Sequence, residues 1–489
     1  MADERVVTDK HAMTDNRVVT NASAARYRQV VLVKPPESSR FNFGTFSLGV
    51  LAAAIRDHAA VTILDATALG VEAAAAAVWA RCPDLVGVTA KGLRSVVPVA
   101  AFIRQMRAAA GGGTAGDSAG KGGDDHGRPA AIIAGGHGAS MAPDPLLEAG
   151  ADAVVSGEGE ETLREIVAGG IRAGTAGVAC RLDGRTVTGP PRPPIQPLER
   201  LPLPARDLMP PPPDGVHLME TSRGCPHTCA FCETTRFYGR RWRPHPPARV
   251  AAEVRLLVES HGAWMIHFAD DNFCASPRRV LEICRRLRRG PLPAFILASA
   301  RGDDLLAEPR LIPAMAAARI QRVTVGVETL DPGAAARAAK PIPLPTYRAA
   351  FQRMAAHGVF SIASFIIGLP GESPAMRERA VELAVAAGPD AAHFLPFLPL
   401  PGTPMAAGRA GPDPDPADVR DAELCNVAFR RHPAVHARLA AAVAGGGVRG
   451  LLARATLEHF RGAGIDAPAG ACAGGNARAH DGPSSGVEV

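Results

Sequence analysis

The chain has 489 residues, of which 47% are hydrophobic and 21% charged, and its formal net charge is +6. This length exceeds one ordinary core and favours two or three globular domains. Aromatic residues make up only 4%, which argues against a nucleic-acid surface built on base stacking. No apolar run approaches the ~18 residues that a membrane span needs.

Residues 1–27 are polar and mixed in charge, and they lack the apolar stretch of a signal peptide. They predict a disordered leader, and we expect the protein in the cytoplasm. The nine cysteines are therefore expected as thiols, either metal ligands or incidental buried groups, and not as disulfides.

Short β-branched runs alternate with helical segments between residues 28 and 179. The predicted strands are 29–33, 61–64, 84–88, 130–134 and 152–155, and the predicted helices are 46–58, 71–80 and 95–109. Such alternation predicts a parallel, doubly wound α/β sheet, whose ligands bind beyond the carboxyl ends of the strands. Residues 111–130, rich in Gly, Asp and Ser, predict a disordered insertion.

Residues 180–214 are rich in proline and predict an extended linker. A second alternating series fills residues 215–405, with predicted strands at 216–221, 265–269, 295–300, 322–327, 361–367 and 392–397. Six strand–helix units favour a partial barrel with its chemistry at the carboxyl ends of the strands. Residues 406–475 predict a helical C-terminal region, and residues 476–489 a disordered tail.

Three cysteines, Cys225, Cys229 and Cys232, follow the first strand of this second series at C-x3-C-x2-C spacing. Thiolates at this spacing on one loop favour an iron–sulfur cluster or zinc. A structural zinc site takes four protein ligands, so a Cys3His site with His227 is the alternative. A cubane cluster on three thiolates leaves one iron open to a cofactor or substrate.

This C-x3-C-x-aromatic-C motif, with Phe231 as its aromatic residue, resembles the signature of the radical S-adenosylmethionine (radical SAM) superfamily. The resemblance implies a [4Fe–4S] cluster on the three cysteines, whose open iron binds S-adenosylmethionine (SAM). It further implies reductive cleavage of SAM to a 5′-deoxyadenosyl radical. An electron donor such as a flavodoxin or ferredoxin is then an expected partner.

The later strand ends resemble positions that contact SAM in this superfamily. Asp270, Asp271 and Asn272 end the second strand, beside the cofactor's amino group in the family, and a helix N-cap or turn cluster is the alternative. Arg301 ends the third strand and suits a carboxylate. Glu328 ends the fourth and resembles an acidic residue near the ribose, with a salt bridge to Arg301 as the alternative.

The fifth strand ends in a glycine- and proline-containing segment with Gly368 and Pro370, which resembles the adenine-contacting strand end of the family. Phe231 is expected to contact SAM as well. Lys340 follows the Glu328 segment where one subgroup often has lysine, and a solvated helix lysine is the favoured alternative.

The domain order resembles the cobalamin-binding subgroup of the superfamily, which pairs an N-terminal flavodoxin-like domain with the partial barrel, and the resemblance covers roughly residues 28–405. It implies cobalamin contacts at Pro35, Thr89, Lys91, Gly135, Gly136, His137, Gly157, Glu158 and Gly159. The D-x-H-x-x-G loop that supplies a lower cobalt ligand elsewhere is absent from the sequence. His137 is thus open to a cobalamin contact or to a structural role in its loop, and a domain that keeps the fold without cobalamin is also open.

Three functions are compatible with these features. The first, which we favour, is radical methyl transfer from methylcobalamin to an unactivated carbon of a small natural-product substrate. The second is a radical dehydratase, deoxygenase or oxidoreductase, for example on a sugar or aminoglycoside, without methyl transfer. The third is a non-enzymatic metal-binding or cobalamin-binding protein. Neither nucleic acid nor a membrane is an expected partner.

Overall fold

The computed structural model of the protein describes residues 26–36, 44–110, 130–182, 184–212, 215–407 and 413–463. The predicted leader up to residue 25, the predicted insertion at 111–129 and the predicted tail at 476–489 lie outside these ranges. None of the helices within them is long and apolar enough to cross a membrane.

The N-terminal domain is built on a seven-stranded sheet. Its strands are β1 (Gln29–Lys34), β2 (Ala60–Asp65), β3 (Leu85–Thr89), β4 (Ala131–Gly135), β5 (Ala153–Val155), β6 (Val178–Leu182) and β7 (Arg185–Thr188). The strand order is β2-β1-β3-β4-β5-β6-β7, and the first five strands are parallel. The order reverses between β1 and β3, which opens a crevice at the carboxyl ends of the strands.

Helices cover both faces of this sheet. They are α1 (Phe46–Ile55), α2 (Val71–Trp79), α3 (Val96–Ala109), α4 (His137–Met141), α5 (Asp144–Glu148) and α6 (Gly159–Gly169). Alternate residues of β1 enter two separate cores, with Val31 and Val33 in one and Val30 and Leu32 in the other. Strands buried on both faces read as continuous apolar runs, which is why the sequence predicted them well.

The structure differs from the predicted linker in its first part. Residues 178–182 and 185–188 form the antiparallel pair β6 and β7 at the edge of the N-terminal sheet. These strands are short and half polar, with only the first three residues of β6 buried. Their pairing depends on the sheet edge at β5, which a local sequence pattern does not show.

The second domain is a partial barrel of six parallel strands. They are β8 (Val216–Met219), followed in the sheet by β11 (Met265–Phe268), β12 (Phe295–Arg301), β13 (Ile320–Glu328), β14 (Phe360–Ile367) and β15 (Ala391–Pro396). Two further strands of two residues each, β9 (Ser222–Arg223) and β10 (Arg243–Pro244), form a separate antiparallel pair. All neighbours in the six-stranded sheet run parallel, so the predicted fold class is confirmed.

Helices follow the barrel strands and pack outside them. They are α7 (Glu233–Phe237), α8 (Pro247–His261), α9 (Pro277–Leu287), α10 (Gly302–Leu306), α11 (Leu311–Ala317), α12 (Pro332–Arg337), α13 (Leu344–Ala356), α14 (Pro374–Glu378) and α15 (Ala380–Ala387). Three C-terminal helices complete the chain: α16 (Pro416–Arg431), α17 (Pro433–Gly445) and α18 (Gly447–Gly462).

Helix α16 covers the free edge of the barrel at β15. The Asn426 side chain accepts from the Phe394 backbone N–H at 2.9 Å and donates to the Phe394 carbonyl at 2.8 Å. It therefore satisfies backbone groups that an edge strand otherwise leaves unpaired. Helix α18 packs against β13 and β14, so the C-terminal helices close one side of the barrel.

Candidate active site

The three motif cysteines lie on the loop between β9 and α7, and all three thiols are free and partly exposed. Burial, together with the nearby Asp271 carboxylate and the Cys229 and Cys232 thiols, raises the pKa of Cys225 to about 11. Thiols with raised pKa values need a cationic partner to ionise, and iron ions supply one.

Within the described residues, no group of three or more His, Cys, Asp or Glu side chains is arranged around a single metal position. A mononuclear zinc site needs all its ligand atoms within about 2–2.3 Å of one ion. A cluster distributes its thiolates over separate iron atoms. Three thiols at C-x3-C-x2-C spacing on one loop suit a cluster with one open iron.

The Cys loop is shaped by Gly224 and Asp271. Gly224 has φ +79°, and a β-carbon there would lie 2.1 Å from the Arg241 carbonyl oxygen, so the turn requires glycine. The Asp271 carboxylate accepts a hydrogen bond from the Thr234 hydroxyl at 2.8 Å and another from the Gly224 backbone N–H. One side chain thus ties both ends of the loop together.

Asp270 braces the strand that leads into the loop. Its carboxylate accepts from the Thr221 backbone N–H at 2.6 Å and from the hydroxyls of Thr221 and Ser222. The residue is only 4% exposed, and burial raises its pKa. Asp270 therefore braces the strand behind the loop, and its contact with the cofactor stays a prediction.

Asn272 joins a hydrogen-bonded chain that reaches the middle of the Cys loop. Its amide donates to Asp304 at 2.6 Å, and the same Asp304 oxygen lies 2.9 Å from Nε2 of His227. The side-chain oxygen of Asn272 accepts from the Arg301 backbone N–H at 3.4 Å. His227 is thereby held as a structural group of the loop.

Arg301 points its guanidinium at the thiol site. Two of its nitrogens donate to Asp303 at 3.0 Å each, and Nη1 donates to Sγ of Cys229 at 3.5 Å. The bidentate pair fixes the guanidinium plane. Nη1 is left beside the cysteine loop, where it can meet an anionic group.

Glu328 stands at the end of β13 in a left-handed backbone conformation, with φ +68°. Its carboxylate accepts from Lys340 at 2.8 Å, and the Lys340 side chain is 6% exposed. Glu328 thus forms a salt bridge, but with Lys340 and not with Arg301 as the alternative had it. The interpretation of Lys340 as a solvated helix lysine was wrong. A β-carbon at Gly326 would lie 2.3 Å from Glu328 Oε1, so glycine makes room for this pair.

An apolar wall lies beside the cysteine loop. Phe231 packs with Leu369, Phe397 and Met405. The Ala230 backbone donates to the Ala338 carbonyl at 3.0 Å and accepts from the Met405 N–H at 3.1 Å. The segments after β13 and β15 therefore hold the loop against the end of β14.

The segment after β14 lies among three charged side chains that no sequence motif marks. Gly368 has φ +87°, and a β-carbon there would overlap the Asp418 carboxylate of α16 at 1.9 Å. Arg377 pairs with Asp418 at 3.0 Å and with Glu372 at 3.0 Å. The Pro370 carbonyl accepts from Arg337 at 3.1 Å. Asp418 lies far along the chain, so no local motif marks it.

A cavity of about 320 Å³ lies at the carboxyl ends of β1, β3, β4 and β5, between the two domains. Of the residues predicted to bind cobalamin, eight line it: Thr89, Lys91, Gly135, Gly136, His137, Gly157, Glu158 and Gly159. Pro35 is buried and is not among the lining residues. The barrel side of the wall includes Phe237 and Tyr238, which follow the cysteine loop and which the sequence analysis did not single out.

The cavity wall has features that fit a ligand carrying hydrogen-bond donors. A β-carbon at Gly157 would meet no atom within 4 Å and would stand in open space. Oε2 of Glu160, which lines the cavity, is buried without a hydrogen-bond donor within the described residues. A buried acceptor left unsatisfied costs free energy that an amide or hydroxyl donor of a ligand would recover.

His137 is held by the barrel domain. Its ring stacks on Phe237 with centroids 3.7 Å apart, and its Nδ1 lies 3.4 Å from Oε1 of Glu233. Tyr238 meets the same ring edge-on at 5.8 Å. The imidazole is therefore part of the wall between the cavity and the cysteine loop.

Glu158 belongs to an ionic network between the domains. Its oxygens accept from Arg243 at 2.7 and 2.9 Å, from Arg223 at 3.1 Å and from the Ile195 backbone at 2.6 Å. Burial favours a higher pKa for Glu158, but these donors and charges outweigh it and hold the pKa below its usual range. Both carboxylate oxygens are thus committed to protein partners.

Arg223 is the centre of this network, because it also pairs with Glu160 at 2.6 Å and with Glu220 at 2.9 Å. Arg223→Met is expected to lower the free energy of unfolding by about 3–5 kcal/mol, since it leaves buried carboxylates without their cation. Denaturant unfolding measures this. The control Arg285→Met breaks an exposed pair with Glu282 and should cost much less, because solvent screens that pair. Equal losses in the two variants contradict the assignment.

A doubly wound domain, a six-stranded partial barrel and three thiols in the loop after the first barrel strand together define the class of radical SAM enzymes. Residues 219–384 match the family model of the Radical SAM superfamily. This part of the chain is the radical SAM domain of an enzyme, and a [4Fe–4S] cluster and SAM are the cofactors that such a domain uses.

Curated relatives carry two kinds of name. The chain is 29% identical over 396 residues to an uncharacterised methyltransferase of Pyrococcus horikoshii, covering 77% of this chain and 82% of that protein. It is 28% identical over 286 residues to the anaerobic magnesium-protoporphyrin IX monomethyl ester cyclase of Rubrivivax gelatinosus, covering 55% of this chain and 51% of the cyclase. The chain thus spans about half the length of this second relative.

A solved structure shares the fold. The radical SAM methyltransferase TsrM from Kitasatospora setae, with cobalamin and a [4Fe–4S] cluster bound, superposes with a TM-score of 0.64 at 20% identity. The match covers 79% of this chain and 76% of TsrM. The two-domain architecture predicted from the sequence is therefore confirmed.

Proposed function

We propose that this chain is a cobalamin-dependent methyltransferase, which uses radical SAM chemistry to methylate an unactivated carbon of a small natural-product substrate. The observation that carries the proposal is the cavity between the domains. It lies at the switch point of the N-terminal sheet and is separated from the cysteine loop by His137, Phe237 and Tyr238. TsrM, which has the same fold, binds cobalamin, and one relative is named a methyltransferase.

Two sets of residues serve two sites, one for the cluster with SAM and one for cobalamin. Cys225, Cys229 and Cys232 would hold the cluster, and Arg301 Nη1 would orient an anionic group of SAM beside it. Phe231 would support the adenine with the end of β14. When bound, the cluster supplies the electron that cleaves SAM, and cobalamin supplies the methyl group. The glycine loops at residues 135–136 and 157–159 would cradle cobalamin.

The overall reaction balances with one SAM as radical source and a second as methyl donor. The substrate loses a hydrogen atom to 5′-deoxyadenosine and gains a methyl group, and methionine and S-adenosylhomocysteine are the other products. Two electrons enter, for which a cytoplasmic flavodoxin or ferredoxin is the proposed donor. A reducing compartment agrees with the free thiol state of the eight cysteines in the described part of the chain.

Isotope labelling of the SAM methyl group tests this function, and its first readout needs no known substrate. Reduced protein loaded with cluster and cobalamin should form S-adenosylhomocysteine, and with substrate the label should appear in the product alongside 5′-deoxyadenosine. Cobalamin-free protein is the control. If 5′-deoxyadenosine forms while no label leaves SAM and no S-adenosylhomocysteine appears, the methyltransferase proposal fails.

A second candidate is a radical oxidation or cyclisation without methyl transfer. The match to the magnesium-protoporphyrin ester cyclase over 286 residues favours it. This function predicts 5′-deoxyadenosine and no S-adenosylhomocysteine in the same experiment.

A further inference from the structure

The barrel lumen contains a polar cluster well below the cysteine loop. Along β13, residues 322, 324, 326 and 328 are partly exposed, whereas residues 323, 325 and 327 are buried. Side chains alternate between the two faces of a strand, so Arg322 lies on the same face as Glu328. The buried residues of β13 face the helices, as the core of the barrel domain shows. Arg322 therefore faces the lumen.

Two histidines, His267 on β11 and His393 on β15, are partly exposed between buried neighbours and therefore also lie on the lumen face of their strands. Burial, followed by the charge of Arg322, lowers the pKa of His267 to about 4. Burial, followed by the charges of Arg322 and Arg430, does the same for His393. His267 lies on β11 and His393 on β15, and one strand separates each of them from β13. The charge of Arg322 thus reaches both rings across the concave side of the sheet, and both rings are neutral at pH 7.

The Arg322 guanidinium has no carboxylate partner in the described ranges, and its Nε is buried without an acceptor. Burial lowers the pKa of Arg322, with no opposing effect from an acidic neighbour. Arg223 and Arg206, by contrast, are buried in salt bridges with Glu160 and Glu253. A largely buried guanidinium without a carboxylate partner costs free energy that an anionic ligand would recover.

We propose that the barrel lumen holds an anion subsite for the substrate, in which Arg322 binds a carboxylate or phosphoryl group and His267 and His393 flank it. This inference rests on the proposed function, because it names the chemical class of that enzyme's substrate. Arg fits such oxygens through its planar, bidentate donors. The neutral imidazoles add hydrogen-bonding groups without further charge.

The subsite also sets the length of the substrate. Arg301, beside the cysteine loop, is level with Gly326 in the sheet, and Gly326 is four residues beyond Arg322 on β13. Four residues of strand span roughly 13 Å. In a substrate anchored at Arg322, the reacting carbon therefore lies on the order of 10 Å from the anionic group. One end of the substrate is anionic, and the other end carries the unactivated carbon.

Anion-dependent thermal unfolding tests the subsite without the true substrate. The anaerobically reconstituted full chain is compared in sodium chloride and in sodium propionate or methylphosphonate at equal ionic strength. The wild type is expected to gain about 2 °C or more in at least one organic anion, since a ligand that binds only the folded state stabilises it. Propionate and methylphosphonate distinguish carboxylate from phosphoryl recognition.

Arg322→Met should abolish this shift, and Arg289→Met, which removes an exposed arginine, should retain it. Arg322→Lys keeps the charge but loses the bidentate fork, so it should retain a reduced shift and serves if the methionine variant does not fold. No anion-specific shift in the wild type, or an undiminished shift in either Arg322 variant, overturns the proposal.

Formation of S-adenosylhomocysteine is followed in the same preparations and separates the two proposals. A lost shift in Arg322→Met, in protein that never releases a labelled methyl group, supports the subsite and removes the methyltransferase function. Release of the labelled methyl group without an anion-dependent shift in the unfolding temperature supports the methyltransferase function and excludes the anion subsite.

Discussion

Replacing Cys229 by alanine is expected to remove both the iron–sulfur cluster and the cleavage of SAM. Cys229 lies at the centre of the C-x3-C-x2-C loop and receives a hydrogen bond from Arg301 at 3.5 Å. Two remaining thiolates leave a second iron without a protein ligand, and the cluster loses its support. We expect 5′-deoxyadenosine formation to fall by roughly three orders of magnitude or more. Iron and sulfide content, visible absorbance and product analysis measure the effect.

The matched control is Cys425→Ala, since Cys425 is also a free and partly exposed thiol but lies on α16. This variant should retain the cluster and SAM cleavage. Retained cleavage in Cys229→Ala would exclude the assignment of the cluster to this loop.

Replacing Gly135 by leucine is expected to prevent cobalamin binding while the protein stays folded. Gly135 ends β4 and lines the cavity, on the same face as Ile133. A β-carbon at Gly135 would make only ordinary contacts with Val155, at 3.7 and 3.8 Å. The backbone therefore tolerates the side chain, but the remaining carbons of leucine enter the cavity. We expect affinity for cobalamin to fall at least about 100-fold, equivalent to about 2.7 kcal/mol.

Cobalamin uptake is measured by absorbance after desalting, together with the cluster content and SAM cleavage. Gly70→Leu is the control, because Gly70 is exposed and a β-carbon there meets only Glu72 at 4.0 Å. The Gly135 variant should keep its cluster and still form 5′-deoxyadenosine, yet form no S-adenosylhomocysteine. Full cobalamin binding by Gly135→Leu contradicts a site in this cavity.

The fold was predictable because its elements carry local signals. The core strands β1, β3 and β4 are apolar on both faces, and each barrel strand is followed by a helix, so period and order alone indicate two parallel sheets. The pair β6 and β7 was not predictable in this way. Its strands form because β6 pairs with the free edge of β5. The prolines in the residues that follow predict a linker and not a strand.

The candidate site was predictable only where chemistry is encoded in adjacent residues. The three cysteines and the glycine-rich strand ends are local motifs, and the structure brings each set to one place. The roles of Asp270 and Lys340 depend on partners that are distant in sequence or that require a particular backbone geometry. Lys340 reaches Glu328 because Gly326 leaves room and Glu328 adopts a positive φ. Arg322 was missed because a lumen-facing charge has no sequence signature.

Electron paramagnetic resonance of the reduced, reconstituted protein, recorded with and without SAM, tests the central claim most directly. Three thiolates on a cubane cluster leave one iron open, so SAM that binds this iron must change the spectrum of the reduced cluster. The account predicts a [4Fe–4S] signal whose g-values shift on addition of SAM, and the loss of that signal in Cys229→Ala. A cluster signal that SAM leaves unchanged, or that persists without Cys229, would contradict it.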